Sequence, residues 1–307
     1  MSIIKVDDLL KKYGSLTAVD KISFEVKKGE IFGILGPNGA GKTTTLEMIE
    51  GLRQPDGGSI QIDNNAVWPN PKKVKRIIGV QLQSTSLFDY LRVAEIIKLF
   101  ASFYSIKLSK EKLNLILEDV SLTNKAKAYV NELSGGQQQR LSIALALVNE
   151  PKVVFLDEPT TGLDPQARRS LWDVIKRINK EGKAVVLTTH YMEEAQVLCK
   201  RIAIMDKAKI IDLDTPANLI KKLEADSKLS FSCKPKLEEA KIKGIKGVTS
   251  VQSVDHSYMV YSSNIQKAVS DILKLAKEKD AVIEDIHISG ANLEDVFLNM
   301  TGRALRD

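Results

Sequence analysis

Ile31-Phe32-Gly33-Ile34-Leu35-Gly36-Pro37-Asn38-Gly39-Ala40-Gly41-Lys42-Thr43-Thr44 is the stretch on which the fold turns. Its first five residues run apolar without a break, the pattern of a strand buried on both faces. A glycine-rich segment follows, and Leu46, Met48, Ile49 and Leu52 then set a helical period. Gly36 to Thr43 satisfies G-x-x-x-x-G-K-[ST] in the context the motif requires, a strand before and a helix after. Glycines let the backbone wrap closely around phosphates, while exposed amides and the helix N-terminus supply positive potential. Lys42 is placed to reach β- and γ-phosphates, and the Thr43 hydroxyl to ligate Mg²⁺.

Outward from this loop, the chain alternates. Ile3-Ile4-Lys5-Val6 and Ile22-Ser23-Phe24-Glu25-Val26 read as strands, a turn falls at Gln54-Pro55-Asp56-Gly57-Gly58, and residues 59–68 read as another strand. From Leu91 to about Val120 the period is helical, with Val93, Ile96, Ile97, Phe100 and Tyr104 on one face. A helix over about 136–149, a strand at Val153-Val154-Phe155-Leu156, a helix over about 166–180 and a strand at Ala184-Val185-Val186-Leu187 then predict a parallel α/β sheet. Residues 220–307 change character, with β patterns at 228–232, 249–254, 257–261 and 282–288 and a helix near 264–279, an α+β domain. The predicted division is 1–219 and 220–307.

The strand at Val153 ends in Asp157-Glu158. Carboxylates closing a buried strand imply a cation nearby. Asp157 fits a Mg²⁺ partner, and Glu158 fits a general base that polarises the attacking water. His190, after Thr188-Thr189, closes the strand that begins at Ala184, on the edge where α/β proteins bind ligands.

Composition narrows the classes. At 307 residues the chain is long enough for about two domains. With 43% apolar and 27% charged residues it is neither collagen-like nor disordered. No apolar run approaches the ~20 residues of a membrane-spanning helix, and Met1 to Asp8 is no signal peptide. Two cysteines, Cys199 and Cys233, exclude a disulfide framework or a zinc site and fit a reducing cytosol. The +6 net charge is spread thinly; its one tight run, Lys72-Lys73-Val74-Lys75-Arg76, reads as a solvated face, so no nucleic acid is expected.

Leu133-Ser134-Gly135-Gly136-Gln137, ahead of Asp157, resembles the signature motif of ATP-binding cassette (ABC) ATPases. Other motifs of that family follow the same order along the chain. Tyr13 resembles the aromatic on which adenine stacks, Gln83 the Q-loop glutamine with Gln81 as its rival, Gly162-Leu163-Asp164 the D-loop, and His190 the switch histidine. The resemblance implies a P-loop cassette over residues 1 to about 219, with a parallel core sheet, an antiparallel β subdomain and a helical subdomain at about 86–150. It implies ATP and Mg²⁺ as cofactors. Nucleotide contacts then fall to Tyr13, Gly36, Pro37, Asn38, Gly39, Ala40, Gly41, Lys42, Thr43, Thr44, Ser134, Gly135, Gly136, Gln137 and Asp164. The metal falls to Thr43, Gln83 and Asp157, and catalysis to Lys42, Gln83, Glu158 and His190. Two cassettes, most simply identical, would pair head to tail.

With one cassette and no membrane span, a transporter would need separate permease subunits in the membrane. The segment Gly79 to Phe88 and the tail Asn292-Leu293-Glu294-Asp295-Val296-Phe297-Leu298-Asn299-Met300-Thr301-Gly302-Arg303 resemble the daunorubicin-resistance-like exporter ATPases that serve ABC-2 type permeases. That implies a peripheral protein at the cytoplasmic face of the membrane, exporting drugs, antibiotics or lipid-like compounds. Two alternatives stay open at this point: a soluble ABC ATPase of translation or nucleic-acid metabolism, and an importer ATPase.

Overall fold

In the computed structural model, which describes residues 1–82, 87–223 and 227–301, the chain divides into two compact units that part between Thr215 and Pro216. The break falls a few residues before the expected one because Pro216–Lys221 is a helix whose fully buried Leu219 belongs to the second unit.

The first unit carries two sheets. One is antiparallel, in the order Leu16–Lys27, Ser2–Tyr13, Gly57–Ile62, Asn65–Ala66. The strand expected over 59–68 is thus a hairpin: Asp63 and Asn64 take φ of 48° and 62°, the left-handed pair that a two-residue turn between twisted strands requires. The other sheet runs Lys209–Asp214, Arg201–Asp206, Ile31–Leu35, Ala184–Thr189, Val153–Asp157, Ile78–Gln81. All neighbours are parallel except the first pair. Ile31–Leu35 and Val153–Asp157 are buried at every residue, as their apolar runs predict. Ile4, Val26 and Ile62 of the first sheet, Phe32 and Phe155 of the second and Met48 of the helix Lys42–Ile49 share one apolar core.

The helical stretch expected from Leu91 to about Val120 is two helices, Val93–Phe103 and Lys110–Asp119. They part at Ser105, whose φ of 59° ends the first helix. The Ser109 hydroxyl then caps the second by accepting from Lys112 N at 3.2 Å. Val93, Ile96 and Ile97 are buried, whereas Tyr104 is 41% exposed. Gly135–Leu147 is the third long helix of this insert.

The second unit is a four-stranded antiparallel sheet ordered Val248–Val254, Ser257–Ser262, Ser227–Lys234, Val282–Gly290. The helix Ile265–Glu278 buries Ile272 and Ala276 in a core with Leu229, Phe231, Tyr258 and Val260. The tail forms the helix Leu293–Thr301 with Leu293, Val296 and Phe297 buried. Its Asp295, 1% exposed, accepts from Lys228 Nζ at 2.7 Å and Tyr261 Oη at 2.9 Å, so the tail helix is tied to the sheet by a satisfied buried charge.

Candidate nucleotide site

The chemistry-bearing residues gather at the carboxyl ends of the parallel strands, where crossovers leave a crevice. Ile31–Leu35 and Ala184–Thr189 pair in register, and Gly36 N donates to Thr189 O at 3.3 Å, so the glycine loop starts from a fixed point. Gly36 has no alternative: a Cβ there would lie 2.3 Å from Met205 O. Gly41, with φ of 102°, precedes the helix Lys42–Ile49 in a conformation that side chains resist.

Lys42 is buried and folds back over its own loop. Its Nζ donates to Gly36 O at 2.9 Å and Pro37 O at 3.2 Å, and lies 3.1 Å from Glu158 Oε1. Glu158 takes a φ of 46° at the strand end, a strained conformation for a residue with a side chain. Its amide donates to Thr188 Oγ1 at 2.9 Å, and its Oε2 accepts from Thr161 Oγ1 at 3.2 Å. His190 Nδ1 lies 3.2 Å from that same Oε2, off the line of a hydrogen bond. Burial pushes the Glu158 carboxyl up, but the Lys42 ammonium and then His190 outweigh it, so the group is held below its ordinary value and stays ionised.

Asp157 is 4% exposed. Its Oδ1 accepts from Thr43 Oγ1 at 3.3 Å and from the Thr188 hydroxyl. Burial raises its carboxyl above the ordinary value despite those bonds. A buried carboxylate beside a hydroxyl, lacking enough positive charge, fits Mg²⁺: two hard oxygens from the protein leave the remaining positions to water and phosphate oxygens. Tyr13, 41% exposed, and Asn38 line a cleft of about 390 Å³ that continues past Gly41, Lys42 and Thr43 to Glu158. Arg53 and Lys11 stand 5.4 Å and 5.7 Å from the centre of the Tyr13 ring. The cleft thus runs from an aromatic ring to the glycine loop.

Ser134, Gly136 and Asp164 line a second cleft of about 220 Å³ together with Arg140, Ala167 and Ser170, and none of them lines the first. Ser134 caps Gly135–Leu147 in a reciprocal box: its N donates to Gln137 Oε1 at 3.0 Å and its Oγ accepts from Gln137 N at 3.4 Å. Asp164 caps Pro165–Lys180, accepting from Gln166 N and Ala167 N, each at 2.9 Å. Gln83 lies outside the described residues. Its rival Gln81 is buried at the end of Ile78–Gln81, with its amide donating to Leu82 O at 2.6 Å. Thr188 is the residue that reading the sequence passes over; the signal was a hydroxyl closing an otherwise apolar strand.

A glycine loop, a lysine, an Asp-Glu strand end and a histidine at adjacent strand ends define a P-loop nucleotide hydrolase. The ABC transporter family profile matches residues 19–161. The chain is 34% identical to the linearmycin resistance ATP-binding protein LnrL of Bacillus subtilis strain 168, over 99% of this chain and 100% of that one. It is 38% identical to the Nod factor export ATP-binding protein I of Burkholderia thailandensis, over 100% of both. Among solved structures, a bacterial ABC transporter cassette determined as a dimer superposes with TM-score 0.62 at 31% identity, covering 69% of this chain and 98% of that one. The ATP-binding subunit of an ABC transporter superposes with TM-score 0.65 at 26% identity, covering 73% and 94%. The chain belongs to the ATP-binding proteins of ABC transporters, and it is an ATPase. Among the described residues no helix is long and apolar enough to cross a membrane.

Proposed function

We propose that this protein is the ATP-hydrolysing subunit of an exporter of antibiotic-like or lipid-like compounds, acting on separate permease subunits of the ABC-2 type from the cytoplasmic face of the membrane. The observation that carries the reading is the span of the similarity. It runs through the second unit and the tail helix, to relatives named for resistance and export, rather than stopping at the cassette. That span disfavours a translation or nucleic-acid ATPase and an importer subunit.

In the hydrolysis cycle, the part-exposed Tyr13 ring takes the adenine, and the backbone from Gly36 to Thr44 encloses the phosphates. Lys42 sits between its own loop carbonyls and Glu158. An arriving γ-phosphate draws the ammonium away, because its several negative charges outweigh two carbonyls and a single carboxylate. Glu158 is thereby released from the ammonium, which makes its carboxylate a stronger base, ready to orient the attacking water and take its proton. His190, on the other oxygen of the same carboxylate, lies beside that water's path. Thr43 and Asp157 would hold Mg²⁺, which neutralises charge building on the phosphate oxygens. Ser134, Gly135, Gly136, Gln137 and Asp164 serve the nucleotide of a second, identical cassette paired head to tail, since they lie in a cleft of their own.

Glu158→Gln tests the reading. Gln keeps the shape but cannot take the proton, so ATP affinity should persist while turnover falls about 10²-fold or more. The trapped nucleotide should hold the dimer closed with ATP and Mg²⁺ but not with ADP, as read by size-exclusion chromatography. Wild-type turnover would refute the base; an inactive monomer would count against the head-to-tail clamp.

A further inference from the structure

The helix Pro165–Lys180 has its first turns at the cleft of Ser134 and, through Arg168, against Tyr191. Ala167 and Ser170 line the Ser134 cleft. Arg168 turns away from it, and its guanidinium stacks 4.1 Å from the centre of the Tyr191 ring. Tyr191 in turn lies against His190, with ring centroids 4.2 Å apart and planes tilted by 42°. The Arg168 Nε is buried without a hydrogen-bond partner, so the guanidinium makes no bond through that atom to fix it elsewhere. One turn along, Trp172 Nε1 donates to Glu194 Oε1 at 3.0 Å, both side chains buried, which bolts the same helix face to the helix Met192–Leu198. The backbone between is short: Tyr191 N donates to Thr189 Oγ1 at 2.9 Å. The guanidinium on the Tyr191 face and the tilted ring pair form one chain of contacts from the helix to the imidazole.

We propose that Arg168 and Tyr191 are positioning residues that set His190 against Glu158 according to where the helix Pro165–Lys180 stands. They touch no reacting atom. They carry the position of the helix that lines the Ser134 cleft to the histidine of the chain's own hydrolytic site. The inference rests on the reading of His190 as a hydrolytic residue.

The first test is structural and uses the full-length protein without nucleotide. The chain has three histidines, so the imidazole signals in a ¹H–¹³C spectrum are few, and loss of one in His190→Ala assigns it. Tyr191→Leu and Arg168→Ala should each move the His190 signal and leave those of His256 and His287 in place; Tyr191→Phe, which keeps the ring, should not. An unmoved His190 signal in Arg168→Ala overturns the proposal. The second test is kinetic. Tyr191→Leu should lower kcat about tenfold, the scale of a small misplacement of a reacting group, at unchanged KM for ATP. Tyr191→Phe should restore it. Arg168→Ala should lower kcat in the parent but cost nothing further in His190→Ala, because it acts through the missing imidazole. Additive losses in the double variant would overturn the inference and leave His190 in its role. Wild-type turnover in His190→Ala would remove the role and the inference together.

Discussion

Lys42 rests on Gly36 O, Pro37 O and Glu158, and in the proposed cycle it leaves them for the phosphates. Lys42→Ala is expected to cost about 3 kcal/mol of transition-state stabilisation, of the order found when one preorganised donor is removed, and ATPase activity near wild type in that variant would refute the assignment. Glu50 is a further buried acid near Asp157. It is 2% exposed, and burial, with Asp157 and Glu47 adding repulsion, pushes its carboxyl from 4.5 to about 8. The folded chain therefore keeps a proton that the unfolded chain releases, and stability must fall as pH rises from about 4.5 to about 8. Glu50→Gln should remove that dependence. Thermal unfolding without Mg²⁺ should show the variant's advantage over the parent growing from pH 5 to pH 8; a constant difference would contradict the buried acid.

Between elements, Thr188 joins two parallel strands at the point where they carry chemistry. Its hydroxyl donates to Asp157 and accepts from the Glu158 amide, so one side chain holds both acids of the neighbouring strand. Thr188→Val keeps the shape and removes both bonds, leaving a buried amide unpaired. The expected loss is about 1–3 kcal/mol of stability, read by urea unfolding, together with a fall in turnover that Thr188→Ser should largely restore. Asp164 acts at a helix end instead. With two amides at 2.9 Å on one oxygen, Asp164→Ala should cost about 1 kcal/mol. A larger loss would mean that the aspartate supports more than the cap.

The two units set the prediction for the whole molecule. Each described residue of the nucleotide cleft lies before Thr215, and each unit has its own apolar core. A chain ending at Thr215 should still fold and bind a fluorescent ATP analogue with affinity near that of the full chain, while the lifetime of the closed dimer or pairing with a permease should suffer. A truncated protein that folds but does not bind nucleotide would show that the second unit completes the cleft.

Local chemistry settled much of this. A glycine loop between an apolar run and a helical period, and an apolar strand ending in two acids, were legible because strand burial and phosphate binding impose composition over a few adjacent residues. The α+β character of the second unit was legible for the same reason: its strand period is local. What the order of residues could not state is which strand end lies beside which. Thr188 lies 31 residues from Asp157 along the chain and reaches it only because Val153–Asp157 and Ala184–Thr189 pair in parallel register. The break at Ser105 left no mark because nothing in a serine demands the left-handed backbone it adopts, whereas Asp63-Asn64, two residues that tolerate that backbone, carried a turn signal the strand pattern around them masked. Motifs read along the chain were enough for the class of chemistry, because each is a run of adjacent residues. The tertiary structure alone decided that Lys42 rests on Glu158 and that Arg168 reaches His190 through Tyr191, because those contacts join segments whose distance is set by sheet order and helix packing.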